Sequence, residues 1–315
     1  MLLAFGKPEA GVIKVLILDD VFQHIPAKGE QIEKMGQLSG DLLVGGTHYG
    51  GNIEVWKSKS GMYLINELPI EEYVKNVVAA EVSSSWDIEA LKAQAVIART
   101  YALYQRMTAG DSRFDLTSSV LHQAYKGNAA DTRIAYAVLH TEGEVLTYKG
   151  NLIEALYHST CGGKTEDSAE VFGKSYPYLR PVESNCAISP YWIWERKIPA
   201  EEIEKALNIV GIKKIAIKTY TSTKRVKTVD ITHNGGTVNM KATDLRKMLG
   251  WSRLPSTNFE VSSDVDNFIF EGRGYGHGVG LCQWSALEMA RNGKDYREIL
   301  SFFYPGTVIS AYEDR

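Results

Sequence analysis

The chain has 315 residues, 44% of them hydrophobic, and its 35 Lys and Arg residues against 38 Asp and Glu residues give a net charge of −3. Such a chain can bury one large core or two ordinary ones, and without a Lys/Arg block it is not expected to bind nucleic acid. No stretch approaches about 18 consecutive apolar residues, so no membrane span is expected, and the opening MLLAF is too short for an export signal.

The N-terminal part, residues 1–66, is predicted to be a β-rich scaffold. The stretches NIEVWKSK and MYLINEL flank the turn Ser60-Gly61 and predict a hairpin. Nothing in this part indicates chemistry.

Two helices are predicted next. Pro69 suits the first turn of a helix with the sequence IEEYVKNVVAA. Ser84 and Asp87 fit a capping box at the start of a second helix, DIEALKAQAVIARTYALYQRM, whose apolar residues recur at intervals of three and four.

Strand patterns then return, in EVLTY and LIEALYHST, and Lys149-Gly150-Asn151 predicts a hairpin between them. We expect a catalytic core in two parts, residues 67–196 and 261–315, with a small α+β unit inserted at residues 197–260. The order of segments lacks regular βαβ alternation, so the predicted fold class is α+β.

The segment GRGYGHGVGLCQW, residues 272–284, has glycine at every second position from Gly272 to Gly280. In an extended strand this spacing would leave one face bare and send Tyr275 and His277 to the other face. A glycine run of this kind indicates that a ligand or another backbone comes close, or simply that the strand is tightly packed around a core histidine. The segment contains no nucleotide-binding pattern.

A second cluster, YHSTCGGKT at residues 157–165, places His158 at the end of a predicted strand, before two glycines that let the chain turn. His158 and Cys161 could join His277 and Cys282 in a Cys₂His₂ zinc site. The spacings match no standard finger, however, and Cys282 could equally be a small buried residue. With Cys186 the cysteines number three, which does not describe a disulfide framework.

Glu81 is the third candidate. On the first predicted helix it falls four residues after Val77 and three after Val78, in line with the apolar stripe. Burial disfavours the charged form of a carboxylate, so a glutamate in this position would keep its proton and could act as a general acid. The alternatives are that the helix ends at Ala80, that Glu81 turns to solvent, or that it pairs with Arg99.

Together these stretches resemble the stage II sporulation protein D family, whose relatives include amidase enhancers of the LytB type. The matching segments are AAEVSSSWDIEALKAQAVIARTYAL, HQAYKG, ALYHSTCGGKTEDSAEVFG and GRGYGHGVGLCQWSALEMARNGKDYREILSFFYPGT. The resemblance implies a bacterial cell-envelope protein, outside the cytoplasm, that cleaves peptide-free glycan strands of peptidoglycan as a lytic transglycosylase. It implies that Glu81 is the catalytic acid and that polar cleft residues map onto Arg99, Gln123, Tyr125, His158, Ser159, His277 and Gln283.

The glycine alternation in residues 272–284, which is predicted to send Tyr275 and His277 to one face, adds Tyr275 to the expected sugar-binding residues. The family includes a zinc-binding member, but its ligands lie near the segment DLTSSVLHQAY, which has no cysteine here, so no metal or other cofactor is carried over. Two other functions stay open: a non-catalytic wall-binding protein that stimulates a partner amidase, and a zinc hydrolase built on the Cys₂His₂ set.

Overall fold

The computed structural model describes residues 11–18, 25–26, 30–109, 113–119 and 122–312. The opening MLLAF lies outside the described residues. Of the described residues, about 27% are helical and 32% are in strands, arranged in several small sheets, which confirms the α+β class. Among the described residues, none of the helices combines the length and the hydropathy needed to cross a bilayer.

The chain divides into two compact units. Unit 1 comprises residues 1–155, 294–297 and 307–315, and unit 2 comprises residues 156–293 and 298–306. These bounds differ from those of the four expected segments. Residues 67–196, expected as the first part of one catalytic core, are divided between the two units after residue 155.

Unit 1 contains a mixed sheet with the strand order β2-β5-β6-β1-β7, a hairpin of β3 with β4, and a three-stranded sheet β18-β8-β9. Its strands are β1 Val12–Leu16, β2 Glu33–Ser39, β3 Leu42–Val44, β4 Thr47–Tyr49, β5 Asn52–Lys57, β6 Met62–Pro69, β7 Leu116–Thr117, β8 Glu144–Tyr148 and β9 Asn151–Leu152, with β18 (Val308–Ala311) returning near the C-terminus. The predicted hairpins β5–β6 and β8–β9 are both confirmed.

Unit 1 also contains the helices α1 Ile70–Glu81, α2 Ile88–Thr108 and α3 Thr132–Leu139. The first two pack on these sheets, and α3 packs against both of them. Pro69 is the N-cap of α1, one residue before the predicted position. The capping box predicted for α2 is wrong, because Asp87 itself is the N-cap and its carboxylate accepts from the N–H of Glu89. A carboxylate at this position satisfies an amide that has no partner within the helix.

Unit 2 contains three sheets with the orders β10-β17, β11-β16-β15 and β12-β13-β14. Its elements are β10 Tyr157–His158, α4 Ser168–Phe172, β11 Trp194–Pro199, α5 Ala200–Leu207, β12 Lys214–Tyr220, β13 Val226–His233, β14 Gly236–Lys241, α6 Ala242–Leu249, β15 Phe259–Ser263, β16 Asn267–Gly272, β17 Leu281–Cys282 and α7 Gln283–Arg291, while α8 (Tyr296–Phe303) begins in unit 1 and ends in unit 2. The segment expected as an insertion shares one hydrophobic core with β11 and β16, around Trp194, Val229, Leu245 and Phe270.

The glycine-alternating segment is not an extended strand, contrary to the prediction. Between β16 and β17 the chain is irregular, and Gly274, Gly276, Gly278 and Gly280 all have φ between 73° and 114°. Glycine recurs there because every second residue adopts a left-handed conformation that other side chains rarely tolerate. A close approach was predicted, and the partner is the chain around β10: a Cβ on Gly280 would lie 1.9 Å from the carbonyl oxygen of Leu156.

Candidate functional site

Glu81 is the last residue of α1 and is half-buried. The apolar stripe that leads to it is fully buried, through Tyr73, Val74, Val77 and Val78. Its carboxylate Oε1 accepts a hydrogen bond of 2.8 Å from the backbone N–H of Ala124. Glu81 thus belongs to the helix, as predicted, but stands at its accessible end rather than enclosed in the core.

The loop that holds Glu81 is anchored by the residues on either side of Ala124. Gln123 Oε1 accepts from the Tyr73 hydroxyl at 3.1 Å, and its Nε2 donates to the carbonyl of Ala98 at 3.3 Å. On the other side, the Tyr125 hydroxyl donates to Asn66 Oδ1 at 2.6 Å. Burial raises the pKa of both tyrosines, so each hydroxyl keeps the proton it donates.

Gln123 and Tyr125 are 1% and 2% exposed, so their side chains contact protein rather than solvent. They alternate with Ala124, whose N–H faces the carboxylate of Glu81. In this structure their role is to fix the loop that orients Glu81.

Arg99 is also enclosed, at 0% exposure. Its Nε and Nη2 donate to the two carboxylate oxygens of Glu71, at 2.8 and 2.6 Å, and its Nη1 donates to the carbonyl of Glu144 at 3.0 Å. The alternative pairing with Glu81 is therefore wrong. Arg99 ties α2 to α1 and to β8, which is a supporting contact.

In unit 2, the backbone of Val279 lies between two histidines. Its carbonyl oxygen is 3.1 Å from His158 Nδ1, and its N–H donates to His277 Nδ1 at 3.1 Å. The two rings stand 5.6 Å apart, centroid to centroid. Because a carbonyl only accepts, Nδ1 of His158 carries a proton, whereas Nδ1 of His277 must accept.

Both histidines are neutral near pH 7. Burial, with the charges of His277 and Arg225, lowers the pKa of His158 well below its ordinary value. Burial and the charge of Arg246 lower the pKa of His277 to about 4. His158 is almost fully buried, and its Nε2 has no hydrogen-bond partner among the described residues.

The other predicted residues of unit 2 differ in their access to solvent. Tyr275 and Ser159 are half-buried, whereas Gln283 is 5% exposed and opens α7. Tyr275 exchanges backbone hydrogen bonds with Thr160, which joins the glycine-rich segment to the turn after β10.

Exposed aromatic rings beside these residues were not predicted from the sequence. Phe172 meets the ring of His277 edge to face at 5.3 Å, and the Tyr191 ring is 4.7 Å from that of Tyr275. Phe172 is 47% exposed and Tyr191 is 38% exposed. Phe172 ends the five-residue helix α4 and Tyr191 lies in a turn, and neither segment is long enough to carry a periodic pattern, so only the fold reveals these neighbours.

A cluster of cysteines was also missed. The sulfur atoms of Cys161, Cys186 and Cys282 lie within 4.8 Å of one another, and all three side chains are buried. The Cys₂His₂ set expected above is corrected by this geometry, because neither His158 nor His277 belongs to the group. Cys186 stands in a loop, and its spacing from the other cysteines matches no recognisable ligand pattern, so it could not be assigned to a metal site from the sequence.

Comparisons of the sequence with known proteins identify the family to which the chain belongs. A family profile described as stage II sporulation protein (SpoIID) matches residues 58–148, which include Glu81 and the Ala124 loop, and a domain of unknown function (DUF8618) matches residues 179–280. The stage II sporulation protein D of Bacillus subtilis (strain 168) is 32% identical over 272 residues, which cover 78% of this chain and 76% of that protein. The chain belongs to the stage II sporulation protein D family.

Two further relatives extend the family relationship. An uncharacterized protein of Brachyspira hyodysenteriae is 36% identical over 322 residues, covering 97% of this chain and 86% of that protein. The amidase enhancer of Bacillus subtilis (strain 168) is 30% identical over 292 residues, covering 76% of this chain but 40% of the enhancer. The chain therefore spans about two fifths of the enhancer's length.

Proposed function

We propose that this chain acts in the bacterial cell wall as a lytic transglycosylase, cleaving peptide-free glycan strands of peptidoglycan with Glu81 as both acid and base. Membership of the stage II sporulation protein D family supports a cell-wall role. The observation that carries the catalytic assignment is the position of Glu81, at an accessible helix end with one carboxylate oxygen held by the Ala124 N–H. A cell-wall substrate places the working protein in the cell envelope, outside the cytoplasm.

One carboxyl group suffices for this reaction. Ordinary glycosidases flank the bond with two carboxyl groups, one as acid and the other as nucleophile or base. In the proposed reaction Glu81 protonates the glycosidic oxygen that leaves. It then takes the proton of the C6 hydroxyl of the muramic acid, which attacks its own C1 and closes a 1,6-anhydro ring, so no water is consumed.

The remaining predicted residues divide by exposure. We assign Ser159, Tyr275 and His277 to direct contact with the sugar, because these side chains are half-exposed in unit 2. Arg99, Gln123, Tyr125, His158 and Gln283 are buried and are assigned to positioning. Phe172 and Tyr191 extend the exposed surface with aromatic faces of the kind that line ligand sites.

The reaction products test the proposal directly. Purified protein is incubated with peptide-free glycan strands, and the new chain ends are identified by mass spectrometry. The proposal predicts 1,6-anhydromuramic ends, whereas reducing ends would indicate hydrolysis.

A second candidate function rests on the amidase enhancer of Bacillus subtilis, 30% identical to this chain. Under this alternative the chain binds the wall and stimulates a partner amidase without cutting glycan itself. Glycan pulldown with intact strands, together with faster peptide release when a cell-wall amidase is added, would favour it. A zinc hydrolase built on His158, Cys161, His277 and Cys282 is not proposed, because the cysteines are grouped with Cys186 instead.

A further inference from the structure

Three cysteines distant in the sequence meet in the core of unit 2. Cys161 follows β10, Cys186 lies in the loop before β11, and Cys282 ends β17. All three are 0% exposed, and their sulfur atoms lie within 4.8 Å of one another, with 3.3 Å between those of Cys161 and Cys186. Four ligands around one zinc ion, at about 2.3 Å for each sulfur, place neighbouring sulfur atoms roughly 3.8 Å apart. The closest pair of sulfur atoms, those of Cys161 and Cys186, needs to move apart by only a few tenths of an ångström to reach that spacing.

A backbone amide donates to one of the three sulfur atoms. The N–H of Cys161 donates to Cys282 Sγ at 3.2 Å. Gly162 and Gly163, which follow Cys161 in the chain, both have positive φ, 74° and 109°. Hydrogen bonds from amides to thiolates are a regular part of metal–sulfur sites, where they orient the ligands and stabilise their charge.

A buried cation adjoins the cluster. The Arg225 guanidinium is 2% exposed and donates through Nη2 to the carbonyl of Cys161 and, at 3.2 Å, to that of Lys164. Its Nη1 has no hydrogen-bond partner among the described residues. In this structure the thiols of Cys161 and Cys282 donate to the carbonyls of Ser184 and Ser159, so metal binding must release these protons. A positive charge beside the cluster favours the thiolate form that results, which is the form that binds metal.

We propose that Cys161, Cys186 and Cys282 together bind one structural Zn²⁺ ion. Thiolates are soft ligands that select zinc among the common divalent ions, and buried sites of this kind are usually four-coordinate. The three cysteines account for three of these positions, and the hydroxyl of Ser285, which is fully buried, lies 4.0 Å from Cys161 Sγ.

The ion would join the segments that carry the sugar-contacting residues. Cys161 stands on the turn after β10, the strand that contains His158, and Cys282 ends β17, the strand that follows the glycine-rich segment and pairs with β10. A metal that closes a link across 121 residues of sequence contributes directly to folding stability. This role is structural, and it requires neither histidine.

The metal content of the purified chain tests the site. The protein is produced in zinc-supplemented medium and purified without chelator, and its metals are measured by inductively coupled plasma mass spectrometry and zinc X-ray absorption. We expect about one zinc per chain, with sulfur neighbours at about 2.3 Å. Zinc with only nitrogen and oxygen neighbours, a metal-free protein, or a Cys161–Cys186 disulfide found by peptide mapping would each overturn the proposal.

Matched variants locate the ion. Cys186→Ala should lower the zinc content at least tenfold, whereas Ser189→Ala should keep it. Ser189 is buried in the same loop, three positions from Cys186, and bonds to Thr160 rather than to a sulfur. The His158→Asn variant should also keep its zinc. Loss of zinc from this variant would indicate a Cys₂His₂ site and would refute the three-cysteine site. Should Cys186→Ala not fold, the unmodified protein is titrated with a mercurial, which must release one zinc as the three thiols react.

Discussion

Backbone groups orient the candidate acid and both histidines. The N–H of Ala124 holds one oxygen of Glu81, and the peptide groups of Val279 accept from His158 and donate to His277. Such contacts depend on the path of the chain rather than on the identity of the residue that supplies them. They fix the tautomer of each ring, since one Nδ1 must donate and the other must accept.

The lowered pKa of His158 predicts a stability that depends on pH. In the folded protein the buried ring stays neutral, while in the unfolded chain it takes a proton below about pH 6.5. Stability is therefore fully present above that pH and is lost on acidification, by about 1.4 kcal/mol for each pH unit over which only the unfolded state is protonated. Urea denaturation at pH 7.5 and pH 5.0 measures this loss.

His158→Asn provides the comparison. Its side-chain amide can still donate to the carbonyl of Val279 but does not titrate. We expect the variant to lose less stability than the unmodified protein between the two pH values. An equal loss in both proteins would show that His158 does not carry the effect.

At the scale of secondary-structure elements, the buried Arg99 pairs with the half-buried Glu71 and so joins α2 to α1, and it also donates to the carbonyl of Glu144 in β8. Removing one partner of such a pair leaves a charge without compensation. We expect Arg99→Met to lower the free energy of unfolding by about 3 kcal/mol. The double variant Arg99→Met with Glu71→Gln should recover part of this, because no unpaired carboxylate remains.

Denaturant titration measures these stabilities, and glycan binding is measured on the same samples. A fully stable Arg99→Met variant that binds glycan poorly would contradict the positioning role. It would indicate instead that Arg99 contacts the substrate directly.

The close packing of the glycine-rich segment against the chain around β10 can be tested by comparing two glycine substitutions. Gly280 and Gly293 have similar φ values, 73° and 84°, but a Cβ on Gly280 would clash with the carbonyl of Leu156, whereas the space around Gly293 is open. Gly293→Ala should cost about 1–2 kcal/mol, from the left-handed backbone alone. Gly280→Ala should cost about 1–3 kcal/mol more, because the packed chain must move.

Thermal unfolding of both variants checks this difference. Equal losses would mean that backbone conformation alone explains the glycines, without the close approach.

Over the whole molecule, the sequence predicted local structure better than long-range assembly. The hairpin at Ser60-Gly61, the helix that includes Glu81 and the α+β class were predicted because turn residues and apolar spacing act over short distances. The glycine alternation predicted a close approach but not its backbone, since a period of two also fits repeated left-handed residues. Cys186 and Tyr191 join their neighbours only through folding, and no spacing in the sequence records this.

The proposed cleavage depends on the chemistry of a single carboxyl group. Glu81→Gln keeps an oxygen that can accept the Ala124 N–H but cannot give up a proton to the leaving oxygen. Glu72→Gln is the matched control, because Glu72 lies on the same helix, is exposed, and pairs with Lys75 at the surface.

The decisive measurement is the rate at which each protein forms 1,6-anhydromuramic ends on peptide-free glycan strands. We predict that Glu81→Gln lowers this rate by roughly 10²–10⁴, the usual contribution of a general acid, while Glu72→Gln leaves it unchanged. A folded Glu81→Gln protein that forms these ends at the parental rate would show that Glu81 is not the general acid.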